Sequence, residues 1–116
     1  MENKVLSFLG LAQRSGNLVT GEDTCAAYVK KNAVKLVLIA NDASDNTKKK
    51  FQDMADFRNI KCVIYGDRQK LSQAVGKPNR AVYGIKDTGL AKKISSLIEE
   101  VKDGSNNLGG ERTCQK

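Results

Sequence analysis

The chain has 116 residues, 40% hydrophobic and 28% charged, which suits one folded domain large enough to bury a core. Lys and Arg total 20 against 13 Asp and Glu, giving a net charge of +7 and a pI near 9.4. Histidine is absent, which excludes Ser-His and Cys-His nucleophile pairs and imidazole zinc sites.

Helical and extended patterns alternate along the chain. From Asn3 to Arg14, Val5, Leu6, Phe8, Leu9 and Ala12 fall near one helical face, and Gly16 stops the helix. NLVT at 17–20 is a short strand candidate, broken by Gly21. Glu22 and Asp23 then open a second helix, where acids suit the positive end of the dipole. Lys30 and Lys31 fall in its last turn, where cations are favourable. Lys35 to Ala40 is an unbroken apolar run, predicting a central strand covered on both faces. Asn41 and Asp42 end it, and Ser44 or Asp45 caps a third helix reaching about Arg58. KCVIY at 61–65 reads as another buried strand, Arg68 to Val75 as a fourth helix closed by Gly76, and AVYGI at 81–85 as a further strand. A fifth helix is expected from about Thr88 to Val101, with Leu90, Ala91, Ile94, Leu97, Ile98 and Val101 on its inner face. Alternation of this kind predicts an α/β fold with helices on both faces of the sheet. Residues 1–102 form the expected domain. The Gly/Asn-rich tail at 103–116 holds a single Leu and is expected to be disordered.

Familiar catalytic signatures are missing. GxGxxG and GxxxxGK[ST] do not occur, so neither a dinucleotide fold nor a P-loop has support. Asp42, Asp45 and Asp53 lack the acids from other strands that a magnesium site would need. No enzymatic activity, metal or cofactor is therefore expected. Cys25, Cys62 and Cys114 form no CxxC pair and read as buried, reduced thiols. No apolar run approaches the ~20 residues that span a membrane. The start, MENKVLSFLG, has no small-residue cleavage site, so a cytoplasmic protein without a membrane partner is expected.

Ligands of open α/β sheets gather where strand ends meet helix N-termini, and the chain offers three such junctions. Gly21, Glu22, Asp23 and Thr24 form the first, where Gly21 admits a close backbone approach. Asn41, Asp42 and Asn46 belong to the second, whose amide and helix N-terminal groups suit phosphate or carbonyl oxygens; Lys48 follows. Lys77, Pro78, Asn79, Arg80 and Ala81 form the third, with two cations flanking a rigid turn that suits a backbone phosphate. Arg14 adds a further cation. Ordinary helix capping accounts equally for the first two junctions, and a lysine block is usually a solvated face. The positive charge nevertheless points to a polyanion. Only 3 Phe, 3 Tyr and no Trp argue against base stacking of single strands, leaving a folded RNA read by shape and phosphates.

The runs SGNLVTGEDTCAAYVKKNAVKLVLIANDAS and KLSQAVGKPNRAVYGIKDTGLA resemble the ribosomal L-seven-Ae family, with its L-thirty-e and S-twelve-e relatives, and most of all its small bacterial members. The likeness spans about residues 3–101. It implies a three-layer α/β/α sandwich of about four strands, and a non-catalytic protein of the translation apparatus that binds kink-turn or internal-loop RNA. The implied partner is structured RNA, ribosomal RNA first, with ribosomal proteins as neighbours and a monomeric chain. The family's contact regions correspond to Gly21 through Thr24, Asn41 with Asp42, and Lys77 through Ala81. Lys30, Lys31 and Lys48 join them as expected phosphate contacts. Archaeal kink-turn readers show G-x-N-E-x-x-K; here Asp23, Thr24 and Ala27 stand in place of the Asn, Glu and Lys. A protein-interaction module on the same fold is the alternative, to be recognised by a large apolar patch.

Overall fold

The structure, a computed structural model, describes residues 4–105. Cys114 and residues 106–116 of the expected tail lie outside the described residues. Five helices and four strands alternate: α1 (Lys4–Arg14), β1 (Leu18–Thr20), α2 (Glu22–Lys30), β2 (Leu36–Ile39), α3 (Asp45–Phe57), β3 (Lys61–Ile64), α4 (Arg68–Val75), β4 (Val82–Ile85) and α5 (Thr88–Ser105). The last helix runs four residues past the expected Val101.

Local chemistry sets most boundaries. Ser44 caps α3 by accepting from the Thr47 amide at 3.1 Å, and Asp67 caps α4 by accepting from the Lys70 amide at 2.8 Å. Asp87 does the same for α5, taking the Leu90 amide at 2.8 Å. Gly76 ends α4 in the left-handed conformation at φ 72°, which glycine adopts without a Cβ penalty.

The sheet has the order β1-β4-β2-β3. β2 and β3 are parallel, while β4 runs antiparallel to both of its neighbours. β2 is central and every residue of LVLI is buried, as its apolar run predicts. β3, expected as another buried strand, buries Cys62 in one core and Val63 in the other, but it stands at the edge of the sheet. Lys61 is exposed and Ile64 half-buried, because only β2 pairs with it.

Helices cover both faces, giving the three-layer α/β/α arrangement. On one face α1, α4 and α5 close a core of Leu9, Leu38, Leu71, Tyr83, Ile94 and others. On the other, α2 and α3 close a core around Cys25, Val29, Val37, Ile39, Phe51 and Val82. Full burial of each large side chain contributes about 1.5–3 kcal/mol. Two glycines let neighbouring elements approach closely. A Cβ on Gly10 would stand 3.1 Å from the Ala74 carbonyl of α4, and one on Gly84 would stand 3.0 Å from methyls of both Val19 and Val34.

The topology brings four connections to one edge. The C-terminal ends of β1, β2 and β3 and the N-terminal end of β4 all point there, since Thr20 pairs with Tyr83, Ile39 with Val82 and Ile39 with Ile64. α2, α3 and α4 each begin at this edge. The opposite edge collects the chain before β1, β2 and β3 and after β4.

Candidate nucleic-acid interface

The loops at the first edge are bonded to each other. Gly21 donates its amide to the Val82 carbonyl at 2.9 Å, Ala40 to Ala81 at 2.8 Å, and Asn41 to Gly66 at 2.7 Å. Gly21 has φ 96°, a backbone that side chains rarely adopt. A Cβ there would lie 3.4 Å from Arg80 Nη1, so the missing side chain leaves room for a guanidinium beside the start of α2. Between α2 and α3, Thr47 Oγ1 donates to Glu22 Oε2 at 2.8 Å and accepts from the Ser44 hydroxyl at 2.9 Å. This chain fixes the two helix N-termini side by side.

The third loop is held from beneath. The Arg80 amide donates to Ser72 Oγ at 2.9 Å, and the Tyr83 hydroxyl donates to the Arg80 carbonyl at 2.7 Å. Ser72 and Tyr83 hydroxyls are themselves 3.2 Å apart. Burial pushes the Tyr83 phenol above its ordinary pKa, opposed by the Ser72 hydrogen bond and the nearby Arg80 and Arg68 charges. The hydroxyl therefore keeps its proton at neutral pH and remains a donor.

Most of the expected site residues meet here. Gly21, Asp23, Thr24, Asn41, Asp42, Asn46, Lys77, Pro78, Asn79, Arg80 and Ala81 all lie on the connections at this edge or the first turns that follow. The side chains of Asp23, Thr24, Asn41, Asn46, Lys77 and Asn79 are exposed. Lys48 is half-buried in the first turn of α3, whereas Lys49 pairs with Asp53 at 3.6 Å on the solvent side. Glu22 reaches the edge, but its carboxylate is engaged by Thr47.

Three expected cations are placed elsewhere. Lys30 and Lys31 end α2, about 12 Å along the helix axis from its start, and belong to the opposite edge. A helical residue eight positions from the N-terminus cannot share its loop. Arg14 lies in an open groove of about 430 Å³ between α1 and α4, with Ser7, Lys70 and Gln73.

The match to known proteins covers the same elements. Residues 3–95 match the ribosomal protein L7Ae/L30e/S12e/Gadd45 family. The chain belongs to this family. It is 43% identical over 96 residues to the RNA-binding protein YlxQ of Enterococcus faecium, covering 83% of this chain and 92% of that one. It is 36% identical over 91 residues to the RNA-binding protein YlxQ of Bacillus subtilis strain 168, covering 78% and 91%. Among solved structures, a protein of unknown function from Bacillus halodurans superposes with a TM-score of 0.82 at 42% identity, over 84% of this chain and 99% of that one. The Giardia lamblia 15.5kD RNA binding protein superposes with a TM-score of 0.70 over 87% and 90%; at 16% identity it shows a shared fold alone.

A fourth connection, from β3 to α4, also lies at this edge and carries a residue that sequence reasoning passed over. Arg68, the first residue of α4, donates Nη2 to the Asp42 carbonyl at 3.1 Å and Nη1 to Asn79 Oδ1 at 3.3 Å. Its amide donates to Asp42 Oδ1 at 3.1 Å. One guanidinium thus ties the second junction to the third. The signal was the β3 exit, Gly66-Asp67-Arg68, which has the same strand-turn-helix form as the other junctions. Ser72 and Tyr83 had no comparable signal, because a lone Ser in a helix and a Tyr in a strand look like packing residues.

Proposed function

We propose that this chain is a non-catalytic RNA-binding protein that reads a structured RNA, an internal loop of kink-turn type, with the edge built from residues 20–24, 41–48 and 76–81, in the setting of the ribosome and translation. The observation that carries the reading is the convergence of the three junctions. Separate in sequence by about 20 residues or more, they are hydrogen-bonded into one surface with Arg80 set against Gly21. Family membership and two relatives named as RNA-binding proteins support it. In this reading Asp23, Thr24, Asn41 and Asn79 meet base edges and sugars, while Lys48, Lys77 and Arg80 meet phosphates. Ribosomal RNA is the proposed ligand, with ribosomal proteins as neighbours and the chain acting as a monomer in the cytoplasm. No described helix is long and apolar enough to cross a membrane.

The protein-interaction alternative called for a large apolar patch. The exposed large apolar side chains among the described residues are Leu11 on α1 and Phe57 on α3, on helices that cover opposite faces of the sheet. They do not make one patch.

The test is titration of a kink-turn RNA and a plain RNA duplex at two salt concentrations. The kink-turn RNA should bind at least about 10-fold tighter, since each correct base contact is worth about 1–3 kcal/mol. Replacing Lys77 and Arg80 together by Ala should remove most of that preference. Equal, weak affinity of the wild-type protein for both RNAs would refute the reading.

A further inference from the structure

The positive charge of the molecule is not at the edge just described. Taking each connection from the last residue of one element to the first of the next, that edge carries Glu22, Asp42, Asp45 and Asp67 against Arg68, Lys77 and Arg80, a net −1. The same reckoning at the opposite edge finds Arg14 before β1; Lys30, Lys31 and Lys35 before β2; Arg58 and Lys61 before β3; and Lys86 after β4. The single acid there is Asp87, for a net +6. Nearly all of the chain's excess of +7 is therefore gathered at one end of the sheet.

The fold brings these cations together. Lys35 and Lys86 flank the register pair Leu36 and Ile85, so they sit on neighbouring strands, and the Lys35 amide donates to the Ile85 carbonyl at 2.7 Å. Lys31 and Lys86 reach the same half-buried ring, their ammonium groups 5.1 and 5.6 Å from the Tyr28 centroid. This holds one cation from α2 beside one from β4. Lys30 and Lys35 are exposed alongside them. The acids nearby are engaged: Asp87 caps α5, and Glu99 is taken by Lys61. Like charges packed this way repel each other and work against folding, and a polyanion bound across them relieves that repulsion.

We propose that this edge, centred on Lys30, Lys31, Lys35 and Lys86 around Tyr28, is a second RNA site, which takes the phosphate backbone of a helical segment without regard to sequence. It goes beyond the internal-loop reading, resting only on its premise that the partner is RNA. The domain then holds two RNA segments at opposite ends of its sheet. One is chosen by geometry at a nearly neutral edge, and the other is attracted by charge.

The experiment uses the full chain and a plain 20-base-pair RNA duplex at several salt concentrations. Four phosphate contacts give a slope of log affinity against log salt of about −3 to −4. Replacing Lys30, Lys31, Lys35 and Lys86 together by Gln should lower duplex affinity at least about 10-fold at low salt and flatten the slope toward zero. Replacing Lys77 and Arg80 by Gln should leave duplex binding within about twofold. If the fourfold variant fails to fold, acetylation of the wild-type protein with and without duplex replaces it, with protection of Lys30 and Lys35 read by mass spectrometry.

Three results would overturn the proposal. The first is unchanged duplex affinity in the fourfold variant, or unprotected lysines. The second is an equal loss in the Lys77/Arg80 variant. The third is a variant that loses binding to anionic lipid vesicles but keeps RNA binding. A kink-turn RNA that binds no tighter than the duplex would instead sink the internal-loop reading and leave this second site standing.

Discussion

The Ser72–Tyr83 clasp gives a quantitative handle on the third loop. Tyr83 is fully buried, and its hydroxyl, the Ser72 hydroxyl and the Arg80 peptide form a closed set of hydrogen bonds. Ser72→Ala removes the acceptor of the Arg80 amide in a part-buried hydrogen bond, and leaving that amide unsatisfied costs about 1–3 kcal/mol. Tyr83→Phe should cost less, about 1 kcal/mol, because Ser72 Oγ already lies 3.4 Å from the same Arg80 carbonyl and can turn its proton to it. The double variant should be more destabilised than the sum of the two, by about 0.5–1 kcal/mol, since Ser72 can then no longer take the Arg80 carbonyl that Tyr83 leaves. Urea unfolding of the four proteins measures this cycle. Both single variants should also bind a kink-turn RNA about 3–10-fold more weakly, with duplex binding unchanged, because the loosened loop is the one that carries Lys77 and Arg80. Additivity within about 0.3 kcal/mol together with unchanged kink-turn affinity would refute the argument that the clasp positions the loop.

Two other expectations follow from burial. Gly84→Ala would set a Cβ 3.0 Å from both Val19 and Val34 in the middle of the sheet; it should cost about 1–3 kcal/mol in urea unfolding, and no cost would show that the β4 backbone can shift. Cys25 is held by desolvation at a pKa of about 12 against an ordinary 9.0. A thiol whose folded pKa is raised contributes stability that is complete below about pH 9 and is lost as pH rises toward 12. The gap in urea midpoint between wild type and Cys25→Ala should therefore narrow between pH 8 and pH 10.5, whereas a constant gap would contradict the burial argument.

The fold was legible because it depends on near neighbours in sequence. The apolar run of β2, the cap at Ser44 and the stop at Gly76 each act within a few residues, and all are observed. The status of β3 was not legible. KCVIY is as apolar as a buried strand, and its edge position depends on the antiparallel β4 inserting between β1 and β2. The three junctions were legible because each joins a strand end to a helix or turn. Their mutual bonding was not, since it rests on the sheet order and on Arg68, whose contacts reach 26 residues back and 11 ahead. The distance of Lys30 and Lys31 from the three junctions was not legible for a related reason. They look adjacent to Gly21 in sequence, yet a nine-residue helix carries them to the other end of the sheet.

Arg80 bears on what the altered α2 motif means. On the proposed reading, the position filled by Lys in archaeal kink-turn readers is Ala27, so α2 offers no cation to the RNA from that turn. Its first turn adds two acids, Glu22 and Asp23. Both are exposed, but Glu22 is tied to Thr47 and faces α3, which leaves Asp23 as the acid turned to any ligand. The guanidinium of Arg80 reaches the same helix start from the third loop, in the space that the missing side chain of Gly21 provides. Its Nε is buried and has no hydrogen-bond partner among the described residues. A planar, always-charged group delivered by a loop makes different contacts from a flexible ammonium on the helix face. The charge that this edge lacks on α2 is thus supplied across the sheet. The position of Gly21 is then as much a condition for Arg80 as for any ligand.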